Sequence, residues 1–176
     1  MKHLEEKRKE KIASCKFSDE VYGQILDSVA IACGDSVLIC EGQMLLTKRN
    51  IEPRANHWAI IGGRMIAGER PEEAARRKLF LETGLQIDDL SRFKFYEVYS
   101  AYYSVRAQAP QENGSHTINF THLLEISPAE KAMVKLTPSE YQDSRWINFD
   151  KVMDFLAEEK EDVYAKTILQ DALNNL

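Results

Sequence analysis

Between Pro71 and Gly84 lies the tightest local constraint in the chain: a residue suited to opening a helix, a first turn of acids, and a residue suited to ending one. Proline lacks only an N–H that the first turn does not use, and its fixed φ matches a helix. Glu72 and Glu73 follow where the helix dipole favours anions, and Gly84 fits the left-handed position past the last turn. The spacing predicts a helix from about Pro71 to Thr83. At about 100° per residue, Ala75, Lys78, Leu79 and Glu82 fall on one side, with Glu73, Arg77 and Phe80 roughly opposite. Glu82 therefore shares its face with an ammonium group. Taken alone, that is an i,i+4 ion pair worth about 0.2–0.5 kcal/mol.

The flanks read as a mixed α/β pattern. Ser28 to Ala32, Ser36 to Cys40 and Met44 to Lys48 are expected strands, with Gly34 and Gly42 as turns. A loop over Arg49 to His57 leads to the apolar run Trp58 to Ile61, a strand that Gly62 and Gly63 are expected to end. Beyond the helix, Phe93 to Tyr103 and His116 to Ile126 read as strands around the polar loop Ser104 to Ser115. Trp146 to Asn148 reads as a short strand, and Phe149 to Leu156 and Val163 to Leu173 as terminal helices. Upstream, Glu5 to Ala13 reads as a charged helix and Phe17 to Leu26 as a second, with Val21, Ile25 and Leu26 on its buried side. The expected architecture is a mixed β-sheet sandwiched between helices (α/β/α), with an N-terminal helical extension over 1–27 and one globular domain over 28–176. The extension suits a homodimer arm, a lid or a packing helix.

At 176 residues and 44% hydrophobic content the chain can bury one core, and no linker-like run divides it. A net charge of −5 argues against a nonspecific nucleic-acid surface, which needs a basic footprint. Met1 to Ala13 lacks the apolar core of a secretory signal, and no apolar run approaches the roughly 18 residues that a membrane span needs. Cys15, Cys33 and Cys40 are odd in number and lack finger spacing, which suits reduced thiols. The expectation is a cytoplasmic protein, bound to neither membrane nor nucleic acid, with a small anionic ligand.

The stretch GGRMIAGERPEEAARRKLFLETGL, Gly62 to Leu85, resembles the Nudix box, G-x5-E-x7-R-E-U-x-E-E-x-G-U, through Gly63, Glu69, Arg77, Leu79, Glu82, Gly84 and Leu85. Lys78 and Leu81 stand where that box has glutamates. The run LLTKRNIEPRANHWAIIGGR and the later Asp143-Ser144-Arg145-Trp146 are similar to the GDP-mannose mannosyl hydrolase subfamily, over about Ser28 to Lys151. The resemblance implies a Nudix-type fold and a Mg2+-dependent hydrolase, with Mn2+ as an alternative, acting on a nucleoside diphosphate sugar or related compound. It also implies metal ligation by Glu82, by the Gly62 carbonyl and by Glu140, which stands where the subfamily has a glutamine. Arg49, Arg64 and Arg77 would be leaving-group and box arginines, Arg77 being equally suited to pairing with Glu69.

Lys48, Arg49 and Arg64 are expected to converge on the diphosphate. Tyr141 replaces the subfamily's histidine base, and an unperturbed phenol, with pKa near 10, is a poor base at neutral pH. Asp143, His116 and His122 are alternative bases. Tyr96, Tyr99, Tyr102 and Tyr103 suit either a core or stacking on a nucleobase. The competing expectation is a noncatalytic nucleotide-binding or regulatory module in which Lys78, Leu81 and Tyr141 have disabled the chemistry.

Overall fold

The computed structural model describes residues 1–4 and 17–176. The charged helix expected over Glu5 to Ala13, and Cys15, lie outside the described residues. The chain runs α1 (Asp19–Ser28), β1 (Ile31–Cys40), β2 (Gln43–Arg49), β3 (Trp58–Ala59), β4 (Ile61–Arg64), α2 (Pro71–Thr83), β5 (Lys94–Tyr103), β6 (Ser115–Glu125), α3 (Pro128–Met133), β7 (Tyr141–Asn148), α4 (Val152–Glu158) and α5 (Val163–Asn174).

Strand β1 is the spine of a mixed sheet. Along one edge it pairs in parallel with β6; along the other it pairs antiparallel first with β4 and then with β2. β2 continues outward to β3 and β7, and β5 lies antiparallel on the far side of β6. Successive side chains point to opposite faces, so a strand buried on both faces shows a continuous apolar run. Leu38, Cys40, Leu45 and Leu124 face a core with Ala75 and Leu79 of α2. Val37, Met44, Leu46 and Leu123 face a second core with Val152 and Leu156 of α4 and Ala165, Leu169 and Ala172 of α5. The result is the α/β/α sandwich expected. No helix among the described residues is long and apolar enough to cross a membrane.

Helix α2 starts and stops where its local signals place it. Glu73 accepts a hydrogen bond from the Arg70 backbone N–H at 2.8 Å, and Gly84 closes the helix at φ 71°. Elsewhere the boundaries moved. Gly34 is no turn: β1 runs through it unbroken, because a side chain there would overlap the Pro71 carbonyl and lie 2.9 Å from the Ala75 nitrogen. The glycine is a seat for the start of α2. Gly62 and Gly63 likewise do not end a strand; they pair with Asp35 and Gly34 inside β4. β7 begins at Tyr141, five residues before the expected short strand; its stretch Gln142 to Arg145 is polar and exposed, so no apolar pattern marks it in the sequence. The segment Phe149–Lys151 is a 3-10 turn before α4. α3 was not expected, although Ser127 and Glu130 form a capping box ahead of it.

Because Gly34 sets how closely α2 approaches the sheet, Gly34→Ala should destabilise the fold by about 1–3 kcal/mol or more through overpacking. Urea denaturation checks this: the midpoint should fall at an unchanged slope, and a midpoint equal to wild type would show that the helix shifts freely.

Candidate functional site

A cleft of about 460 Å3 opens where β1, β4 and α2 meet the loops after β2 and β5. Its floor carries two buried carboxylates. Glu82 reaches it from the last turn of α2 and is 3% exposed; Asp35, from β1, is 5% exposed. Both oxygens of Glu82 are engaged, one by the Lys78 ammonium and the other by the Tyr141 hydroxyl, which donates at 2.5 Å. What the helix surface alone made a weak solvated ion pair is here a desolvated, hydrogen-bonded one. Removing one member of such a pair leaves an uncompensated buried charge, at a cost of about 3–5 kcal/mol.

Asp35 accepts a hydrogen bond from Asn119 at 2.7 Å, and Asn119 in turn accepts from Thr117 at 2.6 Å. Burial pushes the Asp35 carboxyl up from its ordinary 3.8 to about 7, opposed by the Asn119 hydrogen bond and reinforced by the Glu82 charge. A side chain at Gly62 would overlap the Asp35 carboxylate, so that glycine lets the two strands close over it. Asp35 was missed in the sequence, where the one available signal is an acid inside the apolar run Ile31 to Cys40.

The expected site residues divide. Arg49, Gly62, Arg64, Glu82 and Glu140 all line this cleft. The pairing of β2 with β7 slips between Lys48 and Arg49, a bulge that re-aims the strand end. Arg49 donates from Nε to the Pro53 carbonyl at 2.8 Å and lies 4.0 Å from Glu140. Arg64 lays its guanidinium over the Tyr22 ring of α1, 4.6 Å from the centroid. Lys48 is elsewhere: it pairs with Glu159 at 3.4 Å and sits 5.7 Å from the centre of the Trp58 ring.

Arg77 grips Glu69 with hydrogen bonds of 2.6 and 2.8 Å and donates to the Arg64 carbonyl at 2.9 Å. Glu69 also accepts from the Ile66 N–H at 2.8 Å, so the pair clasps the loop between β4 and α2. Asp143 lies outside the cleft lining, exposed and 3.6 Å from Arg145. His122 is buried, its ring against the Asp35 carbonyl at 3.1 Å and below its ordinary pKa through burial. His116 stacks on Tyr102 and bonds Ser100. Burial and the adjacent Glu82 charge hold the Tyr141 phenol well above 10, so it acts as a donor rather than a base. Of the strand tyrosines, Tyr96 and Tyr99 anchor α5 through Ile168 and Asp171, and Tyr103 lines the cleft.

Neither Arg54 nor Arg106 was expected in the lining, yet both are there, together with Lys78, which stands at a glutamate position of the Nudix box. Arg54 and Arg106 are ion-paired with Glu161, Asp162 and Asp27, whereas Lys78, Arg49 and Arg64 bring cations to the same lining as the two carboxylates, an arrangement that suits a bound diphosphate. The donors for a divalent cation are less well arranged. Among the described residues no three His, Cys, Asp or Glu side chains converge as metal donors, and Lys78 already holds one oxygen of Glu82.

Comparison with known proteins agrees with this architecture. A curated octanoyltransferase of Myxococcus xanthus is 35% identical over 74 residues, which are 42% of this chain and 20% of that protein, so the chain spans a fifth of its length. Among solved structures, a MutT NUDIX hydrolase from Burkholderia pseudomallei superposes with a TM-score of 0.64 at 18% identity, covering 82% of this chain and 98% of that one. The NUDIX domain of Shewanella oneidensis NrtR, solved with ADP ribose, gives 0.61 at 14% identity, over 90% and 99% of the two chains. The NUDIX domain family matches residues 34–169, which takes in the cleft floor, α2, α4 and the first half of α5. The chain belongs to the NUDIX domain family.

Proposed function

We propose that this protein hydrolyses a nucleoside diphosphate derivative, with the diphosphate resting against Arg49, Arg64 and Lys78. The observation that carries the reading is the convergence of these cations, from β2, β4 and α2, on one cleft above Asp35 and Glu82. In a partly dry cleft, preorganised cations stabilise charge that builds on a leaving diphosphate far better than they would in water. Asp35 supplies a carboxyl that titrates near neutrality and can take a proton from an attacking water. The NUDIX domain solved with ADP ribose supports a nucleotide-type ligand. A nucleotide sugar resembling GDP-mannose is the finer expectation, supported by the run from Leu45 to Arg64 and by Glu140 in the lining.

The residues present do not fit a resident Mg2+. A divalent ion is usually held by one or two carboxylates together with substrate phosphates, and here the ammonium of Lys78 already occupies the carboxylate best placed to bind one. We infer that Lys78 provides positive charge where the Nudix box places a second carboxylate and its metal.

The decisive measurement is phosphorus NMR of the protein with a panel of nucleoside diphosphate sugars, with and without Mg2+. Free sugar plus nucleoside diphosphate means cleavage at carbon, and monophosphate plus sugar phosphate means cleavage within the diphosphate. Absence of turnover across the panel would leave a binding module. Lys78→Glu should place two carboxylates four residues apart and make stability depend on Mg2+, raising the Tm as the ion is added, while the wild-type Tm stays flat. Equal Mg2+ responses would refute the role given to Lys78.

Stability should also carry the signature of Asp35. Its pKa is about 7 in the folded chain against an ordinary 3.8, so between these values the native state keeps a proton that the unfolded chain has released. Stability through this group therefore falls as pH rises across that window. Asp35→Asn should flatten the decline in Tm between pH 5 and pH 8; a decline as steep as wild type would mean that other groups cause it.

A further inference from the structure

The cleft adjoins a second, more open recess at the ends of β5 and β6. That recess has a volume of about 610 Å3, and Leu26, Tyr103 and Ser115 line both spaces. The pairing of the two strands explains which side chains meet there. Tyr103 lies opposite Ser115 and Tyr102 opposite His116. Successive residues of a strand point to opposite faces, so the recess wraps the strand ends and takes in both pairs.

Tyr102 sets this recess apart. Its ring is stacked on the ring of His116, with centroids 3.9 Å apart and planes within 17°. Yet the residue is 77% exposed, so the face turned away from the histidine meets solvent. His116 is held in turn by Ser100, whose hydroxyl lies 2.9 Å from its Nε2. The result is a flat apolar surface, braced from behind and open in front, beside the cleft. Such a surface stacks nucleobases without regard to their identity, because every base has a π-face.

The charge of the recess is opposite to that of the cleft. Among the described residues neither lysine nor arginine lines it, and it holds one carboxylate, Asp27, whose side chain is 39% exposed. Oδ1 of Asp27 accepts from Arg106 at 2.6 Å and from Asn113 at 3.0 Å, while Oδ2 has no hydrogen-bond partner among the described residues. A phosphate would be repelled here, and an uncharged ring bearing N–H donors would find an acceptor. The cations suited to a diphosphate, Arg49, Arg64 and Lys78, lie in the cleft proper.

We propose that this recess is a base subsite, in which Tyr102, braced by His116, stacks the planar heterocycle of a nucleotide whose diphosphate lies against the cations of the cleft. The subsite deepens the nucleoside diphosphate reading and rests on it for the phosphate half of the ligand.

The test is isothermal titration of the full chain with inorganic pyrophosphate, ADP and GDP, for wild type, Tyr102→Ala and Tyr102→Phe. The ring is on the surface, so its removal spares the core, and thermal denaturation verifies folding. Tyr102→Ala should weaken both nucleotides roughly ten-fold, the size of one stacked base, with pyrophosphate unchanged. Tyr102→Phe keeps the ring and should bind both nucleotides as wild type does. Nucleotide affinities untouched by Tyr102→Ala, an equal loss for pyrophosphate, a loss in Tyr102→Phe as large as in Tyr102→Ala, or no wild-type affinity for either nucleotide would overturn the subsite. Turnover is read separately by phosphorus NMR with nucleoside diphosphate sugars. Ring-dependent nucleotide binding without hydrolysis keeps the subsite and defeats the hydrolase reading, while hydrolysis with affinities indifferent to Tyr102 does the reverse.

Discussion

The close packing of the start of α2 against Gly34 of β1 is the constraint on which the site depends. It allows the helix to come down on the sheet until its second half delivers Lys78 and Glu82 to the cleft that Asp35 lines. Strand β1 is paired along both edges and buried on both faces, so it cannot yield to accommodate a side chain. The Arg77–Glu69 clasp then fixes the loop that joins β4 to that helix. Fold and site are consequently one problem: the contact that seals the core also sets the distance between the cleft's charges.

That arrangement changes the value of an ordinary ion pair. On an exposed helix Lys78 and Glu82 would contribute a few tenths of a kcal/mol. Under the sheet, with Tyr141 completing the carboxylate, the same pair becomes an internal charge whose members depend on each other. The acid is not available as it would be in a cluster of like charges, and Tyr141 cannot act as a base while its proton is shared with Glu82. A single helical position, held by lysine where the Nudix box has glutamate, therefore alters the electrostatics of the whole cavity.

The parts that the sequence disclosed were those with local causes. The caps of α2 depend on Pro71, Glu73 and Gly84 alone, and its limits could be read directly. The apolar runs in β1 and β2 revealed strands, though not that two cores would share them. Gly34, Gly62 and Gly63 misled because a glycine required by close tertiary approach looks the same as one required by a turn. Arg49, Arg64 and Glu82 could be placed in a common cleft through the resemblance to the Nudix box and its flanks. Asp35, Arg54 and Arg106 could not, since each is a lone polar residue whose neighbours come from remote segments. Lys48 shows the converse: it adjoins Arg49, but strand geometry sends it to Glu159.

The stacking of Arg64 on Tyr22 has a consequence for how a ligand would be met. An aromatic ring attracts the flat face of a guanidinium and leaves its N–H edge for oxygen. Helix α1 can thus hold the plane of Arg64 while the rim remains open to an anion. The rotational freedom that a long side chain would lose on capture is already spent in folding, and encounter with a ligand finds that donor oriented in advance.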